Sequence, residues 1–446
     1  MKRIITFLLV ICTFCLCFAG CDNENTEGRF VTDITPQQTN TIASVESATP
    51  LQTTTPGGNK TTPALSETAV PGATEIVNTV DVSSATDFAV KLLKQSVNST
   101  ESDENTLISP FSVIAALSMI TNGAENETLK QLEQTLGMSK DELNQFIYAY
   151  TNSLPESEKY KLSVANSIWI NQYRNFDMNA DFEKANQTYY DAELFAEPFN
   201  EDTVNKVNEW VKNNTDGMIP KIIDDVSDTD VMYLLNALAF DAEWQTPYDS
   251  WSVWDGVFTC ENGTEVGIEF MKGNEGTYLE DSNATGFIKY YKDSSYAFVA
   301  LLPNDGISVS QYIQSLSGEH LRNIISSASH ESVDTIMPKF TVDYFADLSD
   351  ILTALGIQNA FDSVKADFSG AGKYDGGNLY IDKVIHNTHI EVAENGTRGG
   401  AATGIIAPDS APRDPKEVRL NRPFVYMIID CENDLPIFMG TTRNLE

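Results

Sequence analysis

One long run of small side chains near the C-terminus limits what this 446-residue chain can fold into. Residues 394–413 are mostly glycine, alanine, threonine, serine and proline, and strand-like runs at 379–392 and 423–430 flank them. Loops of this length are uncommon in compact domains and are usually functional. If Thr397 points inward, every second residue to Ala407 does too, and the charged Arg398 points outward. Such alternation is typical of a half-buried strand. Two interpretations stay open: a flexible surface loop, or a segment that can become a central strand.

Helical and strand-like patterns are mixed along the rest of the chain. Residues 231–240 form a continuous apolar run, which is typical of a strand buried on both faces. The order lacks a regular βαβ alternation, so the sequence predicts an α+β fold with large mixed sheets. Helices are predicted at 88–93, 111–122, 129–136, 140–150, 203–213 and 309–327; strands are predicted at 162–170, 231–240, 335–342, 379–392, 418–420, 423–429 and 437–442, and within 256–271 and 285–302.

The N-terminus has the pattern of a secretion signal. Two basic residues precede an apolar run from Ile4 to Phe18, which is too short to span a membrane comfortably. Small residues directly before Cys21 resemble a bacterial lipoprotein signal, in which the cysteine carries a lipid. Ordinary signal cleavage near Ala19 is the alternative.

Three segments follow from this pattern. Residues 1–20 are predicted to be a lipoprotein signal peptide. Residues 21–80, rich in Thr, Pro, Ser and Gly, cannot bury enough apolar surface to offset their ordering entropy and are predicted to be a disordered stalk. Residues 81–446 are predicted to form the globular domain. We therefore expect an extracellular protein held by its lipid on the outer face of a bacterial cell membrane.

Charge and cysteine content exclude several classes of function. The formal net charge is −35, and phosphate binding needs clustered Lys and Arg, so nucleic acid is not an expected partner and a heparin-like cofactor is disfavoured. Four of the six cysteines lie in the first 21 residues. Only Cys260 and Cys431 lie in the globular part, too few for a disulfide framework. We predict two buried or half-buried thiols.

No catalytic or metal site assembles from the sequence. His386 and His389 are three apart on a predicted strand, so they lie on opposite faces and cannot share a metal. Alternate residues from Val384 to Val392 are mostly apolar, which places His386 on the buried face and His389 on the outer one. The chain has no Gly-x-Ser-x-Gly or His-Glu-x-x-His motif, and residues 369–373 lack full phosphate-loop spacing and are predicted to form a turn. We expect neither an enzyme nor a bound cofactor.

Several blocks of sequence resemble one family. Glu394-Asn395-Gly396-Thr397, followed by small residues, resembles the hinge of the serpins, the serine-protease-inhibitor superfamily. The resemblance implies three β-sheets with a large central sheet, about eight or nine helices and an exposed reactive-centre loop. Other matching blocks occur in the family's order over residues 82–446: Ser109-Pro110-Phe111-Ser112, Leu234 to Phe240 with Trp244, Pro338-Lys339-Phe340, Leu348 to Phe361, Asn421 to Phe424 and Pro436 to Gly440.

The resemblance also implies roles for particular residues. Trp244 matches the region that the family calls the breach. Ser109, Ser112, Asn236 and His386 match the shutter, a polar cluster beneath the centre of the main sheet, where the strands must part. The hinge is assigned to Glu394, Gly396, Thr397, Gly399, Gly400, Ala401, Ala402 and Thr403.

The implied function is suicide inhibition. A serine protease, or a cysteine protease, attacks the loop and is trapped as an acyl-enzyme when the loop inserts into the central sheet of a monomeric inhibitor. Inhibitory members usually have an alanine run after the hinge threonine, whereas here Gly399-Gly400 begins it. Glycine lowers strand propensity without blocking insertion. The alternatives are a non-inhibitory serpin that acts as a cell-surface binding protein or chaperone, and a solute-binding lipoprotein.

The attacked bond is expected near the end of the loop. Counting forward from Glu394 with the family's usual spacing places it at Ser410–Ala411, whereas counting back from Pro423 allows positions as late as Arg413. Insertion length is set by the sheet, so the forward count is preferred. A small residue such as Ser410 suits a subtilisin- or elastase-like protease, and cleavage after Arg413 would suit a trypsin-like one.

Overall fold

The structure, a computed structural model, describes residues 82–154, 160–375, 377–397 and 415–445. The predictions for Cys21, the stalk, Gly399 to Thr403 and the Ser410–Ala411 bond lie outside these ranges. Within them the α-helices are α1 Ser83–Ser99, α2 Pro110–Thr121, α3 Asn126–Leu136, α4 Lys140–Ser153, α5 Ala180–Tyr190, α6 Glu201–Asn214, α7 Val309–Ser315, α8 Gly318–Ser326 and α9 Ser349–Leu355. The strands are β1 Thr106–Ile108, β2 Tyr160–Asn171, β3 Asp177–Met178, β4 Glu193–Glu197, β5 Met232–Glu243, β6 Val253–Thr259, β7 Glu265–Glu275, β8 Tyr278–Glu280, β9 Ala284–Tyr290, β10 Tyr296–Pro303, β11 Val333–Pro338, β12 Phe340–Asp347, β13 Gly372–Lys373, β14 Lys383–Ala393, β15 Gly396–Thr397, β16 Lys416–Arg419, β17 Phe424–Asp430 and β18 Leu435–Thr442.

The strands form three large sheets. The main sheet has six strands in the order β12-β14-β15-β5-β2-β4. A second six-stranded sheet has the order β1-β18-β17-β10-β9-β8, and a third, of four strands, has the order β16-β11-β7-β6. A short pairing of β13 with β3 lies apart from them. With nine α-helices in the described residues, this is the predicted α+β fold with three sheets and a large central one.

Helices cover both faces of the main sheet. All twelve residues of α2 are buried, and the helix packs against β2, β5 and β18. A helix with small or apolar side chains on every side is typical of a core. The Ser109 side chain caps it, and Pro110 occupies its first turn, where a missing N–H costs nothing. On the opposite face, α6 and residues 219–223 pack against Trp169 and Tyr233 in a separate apolar cluster. The main sheet is therefore buried on both sides at its centre.

Two predicted elements are each divided in the structure. The predicted strand 335–342 is two strands, because Pro338 ends β11 in the third sheet and Phe340 begins β12 in the main sheet. Proline lacks the N–H that would continue a ladder. The predicted helix 309–327 is also two helices, since the Ser317 side chain accepts a hydrogen bond from the His320 amide and caps the start of α8.

Cys260 and Cys431, and the histidines at 386 and 389, lie in the environments predicted for them. Cys260 is buried and Cys431 half-buried, and both are free thiols. His386 is fully buried, whereas the ring of His389 pairs with the exposed Asp343 carboxylate at 2.7 Å. Within the described residues no helix combines the length and apolar character that a bilayer span requires.

Candidate functional site

The hinge residues enter the main sheet as a two-residue strand. After β14 the chain turns at Glu394-Asn395, and β15 runs back antiparallel to it. On its other side β15 pairs with β5, Gly396 opposite Glu243 and Thr397 opposite Ala242. Lower in the sheet β14 and β5 pair with each other directly, from Lys383 with Tyr233 to Thr388 with Leu238. Along residues 383–388, the lower end, β14 and β5 are therefore joined directly. At residues 392–393, the upper end, they are separated by β15, the start of an additional strand.

Both residues of β15 are fitted closely to their surroundings. A Cβ atom on Gly396 would collide with the Ala242 carbonyl oxygen, so the backbones approach too closely there for any other residue. Thr397 is fully buried, and its hydroxyl lies 2.5 Å from the Tyr291 hydroxyl. Burial raises the pKa of Tyr291, which keeps this phenol neutral. Thr397 therefore points inward, which is the condition that the predicted alternation requires.

A short segment of chain holds the turn before β15. We call residues 244–248 the hinge clamp. The Trp244 amide donates to the Asn395 carbonyl at 2.8 Å, and the Tyr248 amide donates to the Glu394 carbonyl at 2.9 Å. The Trp244 indole N–H donates to the Ala393 carbonyl at 2.8 Å. The indole also stacks on Tyr291, with ring centroids 4.4 Å apart and planes 14° apart. Three consecutive carbonyls of the turn are thereby satisfied by the clamp.

The Glu394 side chain is held from the other side of the turn. Its carboxylate accepts a hydrogen bond from Lys339 Nζ at 2.9 Å, and Lys339 also reaches Glu269 at 2.8 Å. Burial works to raise the pKa of Glu394, but the hydrogen bond from Lys339, a backbone hydrogen bond at Glu394 and the charge of Lys339 together outweigh it and lower this pKa. The hydrogen bond to Glu269 raises the pKa of Lys339. Lys339 links β12, β7 and the hinge.

A row of polar side chains crosses the sheet where β14 and β5 pair directly. His386 lies opposite Asn236, and Asn236 lies opposite Asn166 on β2. His386 Nδ1 and Asn236 Oδ1 are 2.8 Å apart, and Asn236 Nδ2 donates to Asn166 Oδ1 at 2.7 Å. Neighbouring strands are about 4.8 Å apart, so a strand entering between β14 and β5 would roughly double their spacing. Insertion must break the His386–Asn236 bond.

The row is joined to α2 beneath the sheet. The Ser109 amide donates to His386 Nε2 at 3.1 Å, so Nδ1 carries the proton and donates to Asn236, and the ring is neutral. Burial lowers the pKa of His386 to about 3, which agrees with a neutral ring. Asn236 Nδ2 also donates to the Ser112 carbonyl at 2.5 Å. The four residues assigned to the shutter are brought together.

The bonding within this cluster differs in part from what the residue types suggest. Ser112 contributes its backbone, whereas its buried hydroxyl has no hydrogen-bond partner in the described part of the chain. The Ser109 hydroxyl accepts from the Ser112 amide at 3.3 Å and serves as the helix cap. Sequence reasoning missed Asn166 and Tyr291, and it placed Lys339 in a matching block without assigning it a role. For Asn166 the available signal was an amide in the middle of an apolar strand-like run.

The structure supports no metal centre at this site or elsewhere in the described residues, where no group of three or more His, Cys, Asp or Glu side chains could hold an ion.

Comparisons with known proteins agree on one family. The family model described as "Serpin (serine protease inhibitor)" matches residues 83–445. A serine protease inhibitor of Mus musculus is 30% identical over 399 residues, which is 85% of this chain and 88% of the mouse protein. The crystal structure of a thermophilic serpin, tengpin, in the native state is 44% identical, with a TM-score of 0.79 over 82% of this chain and 94% of that one. Thyroxine-binding globulin in complex with thyroxine is 25% identical, with a TM-score of 0.71 over 81% and 98% of the two chains.

Gly396→Ala tests the close approach of β15 to β5. The added methyl group must displace the Ala242 carbonyl, so we expect the free energy of unfolding to fall by about 1–3 kcal/mol, as is typical of overpacking. Gly267→Ala is the matched control, because Gly267 lies on the exposed side of a strand with only one atom near its Cβ position. Urea denaturation measures both. Equal small losses in the two variants would show that β15 is not tightly held.

His386→Ala tests the polar row. It leaves the Ser109 amide and Asn236 Oδ1 unpaired, and we expect a loss of about 1–3 kcal/mol at pH 7. The unfolded chain protonates this histidine near its ordinary pKa of 6.5, whereas the folded pKa is about 3, so the wild type loses stability through His386 as pH falls between these values. His386→Ala should lose less stability than wild type between pH 7 and pH 5.

The control for His386→Ala is His389→Ala, on the outer face of the same strand. Urea denaturation at the two pH values is the measurement. A His386→Ala protein with the same pH dependence as wild type would contradict the neutral, buried histidine.

Proposed function

The chain belongs to the serpin family of serine protease inhibitors, and from that premise we propose that it is a suicide inhibitor that traps a protease as an acyl-enzyme. The observation that carries the proposal is β15. Gly396 and Thr397 already occupy a strand position between β14 and β5, with the next residues of the chain leading into the predicted reactive loop. The main sheet therefore offers the loop a position to extend into.

The proposed reaction begins as an ordinary proteolysis. The protease serine oxygen attacks the carbonyl carbon of Ser410, the bond to Ala411 breaks, and the new amine leaves with a proton. The loop, now free at one end, extends β15 downward between β14 and β5 and carries the ester-linked protease with it. Distortion of the protease active site then prevents water from releasing the ester.

Loop insertion has a favourable energy balance. A strand of about a dozen residues gains main-chain hydrogen bonds at a net of about 1 kcal/mol each. With buried side chains the total exceeds about 10 kcal/mol, comparable with the stability of a protease domain. Opposing it, the direct pairing of β14 with β5 and the His386–Asn236 bond must break. The uncleaved protein is then metastable, held by a ladder that the inserted loop replaces.

An SDS-stable complex is the direct test of inhibition. The protein is incubated with a panel of subtilisin-, elastase- and trypsin-like proteases, and a covalent complex is expected with a member of the first two groups. Mass spectrometry of the released C-terminal fragment should give a new N-terminus at Ala411. A fragment that begins at Asp414 would move the attacked bond to Arg413 and leave the mechanism standing.

Thr397→Arg should turn the inhibitor into a substrate. Thr397 is fully buried beside Tyr291, so a charge there opposes insertion of the loop that follows. Thr341→Arg, at an exposed position on β12, is the matched control and should still form the complex. A Thr397→Arg protein that traps protease as efficiently as the control would contradict the insertion step.

A non-inhibitory role is the second candidate. Gly399-Gly400 stands where inhibitory members usually have alanine, and glycine raises the ordering entropy of an inserted strand. One similar structure, that of thyroxine-binding globulin, contains the small ligand thyroxine. Cleavage of the loop by every protease in the panel, with no covalent complex, would favour a cell-surface binding protein or chaperone.

We further propose that Cys21 carries a lipid and that residues 21–80 tether the inhibitor to the membrane. The motivation is the small-residue end of the signal followed by a Thr/Pro/Ser-rich segment. Cys21→Ala should move the protein from the membrane fraction to the soluble one, and Cys431→Ala should not. If membrane fractionation is unchanged in Cys21→Ala, the anchor assignment is wrong.

A further inference from the structure

A buried ion pair lies directly behind the hinge clamp. Lys289 on β9 and Glu275 at the end of β7 are joined at 2.8 Å, with 2% and 10% of their side chains exposed. Lysine and glutamate are almost never this buried unless they are paired. Breaking such a pair by removing one partner is strongly destabilising, whereas the intact pair contributes little net stability. Its presence in the core therefore needs another explanation.

The lysine is bonded to the clamp itself. Lys289 Nζ donates to the Thr246 carbonyl at 2.9 Å, in the middle of residues 244–248. The same ammonium lies 4.3 Å from the ring centroid of Tyr248 and 5.4 Å from that of Trp244. A cation this close to an aromatic ring is attracted to its face. One ammonium group thus contacts the two residues whose amides hold the turn, and the carbonyl between them.

The end of β9 serves as the platform for the clamp. The Gln245 amide donates to the Tyr290 carbonyl at 3.0 Å, one residue beyond Lys289. Tyr291, the next residue, stacks on Trp244 and contacts Thr397. Glu275 on β7 accepts a hydrogen bond from the Lys289 ammonium and orients it. Two residues earlier on β7, the backbone at Gly273 lies so close to Tyr248 that a Cβ atom on residue 273 would be 2.9 Å from the Tyr248 ring. The clamp is therefore fixed by side chains from two strands.

We propose that Lys289, oriented by Glu275, is a positioning residue for loop insertion: it fixes residues 244–248 where they hold the carbonyls of residues 393–395, and so sets how readily more of the loop can follow β15 into the sheet. This inference rests on the proposed function, because it concerns the same insertion step. Lys289 acts through Trp244 and Tyr248.

The test compares local opening of the clamp with global stability. Lys289→Met keeps most of the apolar stem and removes the charge. Lys289→Met/Glu275→Gln also removes the unpaired carboxylate, so it regains much of the global stability that the single variant loses. Neither variant can donate to the Thr246 carbonyl from position 289. Lys206→Met, which breaks an exposed pair with Glu197, is the matched control.

Hydrogen exchange of the Trp244 and Tyr248 amides is the measurement, with amides of helix α1, which packs mainly against α8 and α9, as internal reference. We expect exchange at these two amides to be about tenfold faster or more in both Lys289 variants, including the double variant, and unchanged in Lys206→Met. On warming, both Lys289 variants should also lose the inhibitory form faster than the control.

Clamp amides in the double variant that exchange as slowly as in wild type would overturn the positioning role. An acceleration at the clamp no greater than that in α1 would also overturn it, because it would show global rather than local opening. The exchange experiment needs no protease, so its result is independent of the trapping assay. Fast clamp exchange together with no complex from any protease would retain the role of Lys289 in holding the hinge and reject inhibition.

Discussion

The hydrogen bonds that join β14 directly to β5 are the interaction on which the rest of the structure depends. These two strands are neighbours from Lys383 to Thr388, and higher up they are separated by the two residues of β15. A sheet cannot keep its β14–β5 ladder and admit a strand between its partners. The fold therefore contains two competing arrangements of one region, and the observed one keeps the sheet mostly closed.

Different side chains act on the two ends of this boundary. At the lower end the neutral His386 connects Asn236 to the backbone at the start of α2, so parting the strands also breaks bonds to the buried helix. At the upper end the hinge clamp and Lys339 hold the turn from opposite sides, while Tyr291 receives Thr397. The contacts at the lower end oppose insertion of the loop, whereas those at the upper end hold the first two residues of the strand that would insert. Local stability thus differs along a single pair of strands, as expected of a region that rearranges.

Patterns of burial made much of the fold and part of the site predictable. The very apolar α2, the long β5 and the inward His386 follow from the hydrophobic pattern, and the blocks around Glu394 and Trp244 place the hinge. The division of the predicted strand 335–342 was missed, although Pro338 marks it in the sequence. Which sheet each half joins depends on tertiary packing and could not be predicted. Lys289 and Glu275 were invisible for another reason: charged residues are expected at the surface, and only tertiary packing buries this pair. Asn166 and the backbone role of Ser112 likewise depend on which strands become neighbours.

Thermal unfolding before and after a single cut in residues 398–414 tests the central claim most directly. The cut frees one end of the loop, and extension of β15 adds a strand to the main sheet. If insertion contributes about 10 kcal/mol or more, the unfolding midpoint of the cleaved protein should rise by roughly 10–15 °C or more. New protection from hydrogen exchange should accompany it along β14 and β5. A cleaved protein whose midpoint equals or falls below that of the intact protein would contradict the claim that the uncleaved protein is metastable and gains stability when its loop inserts.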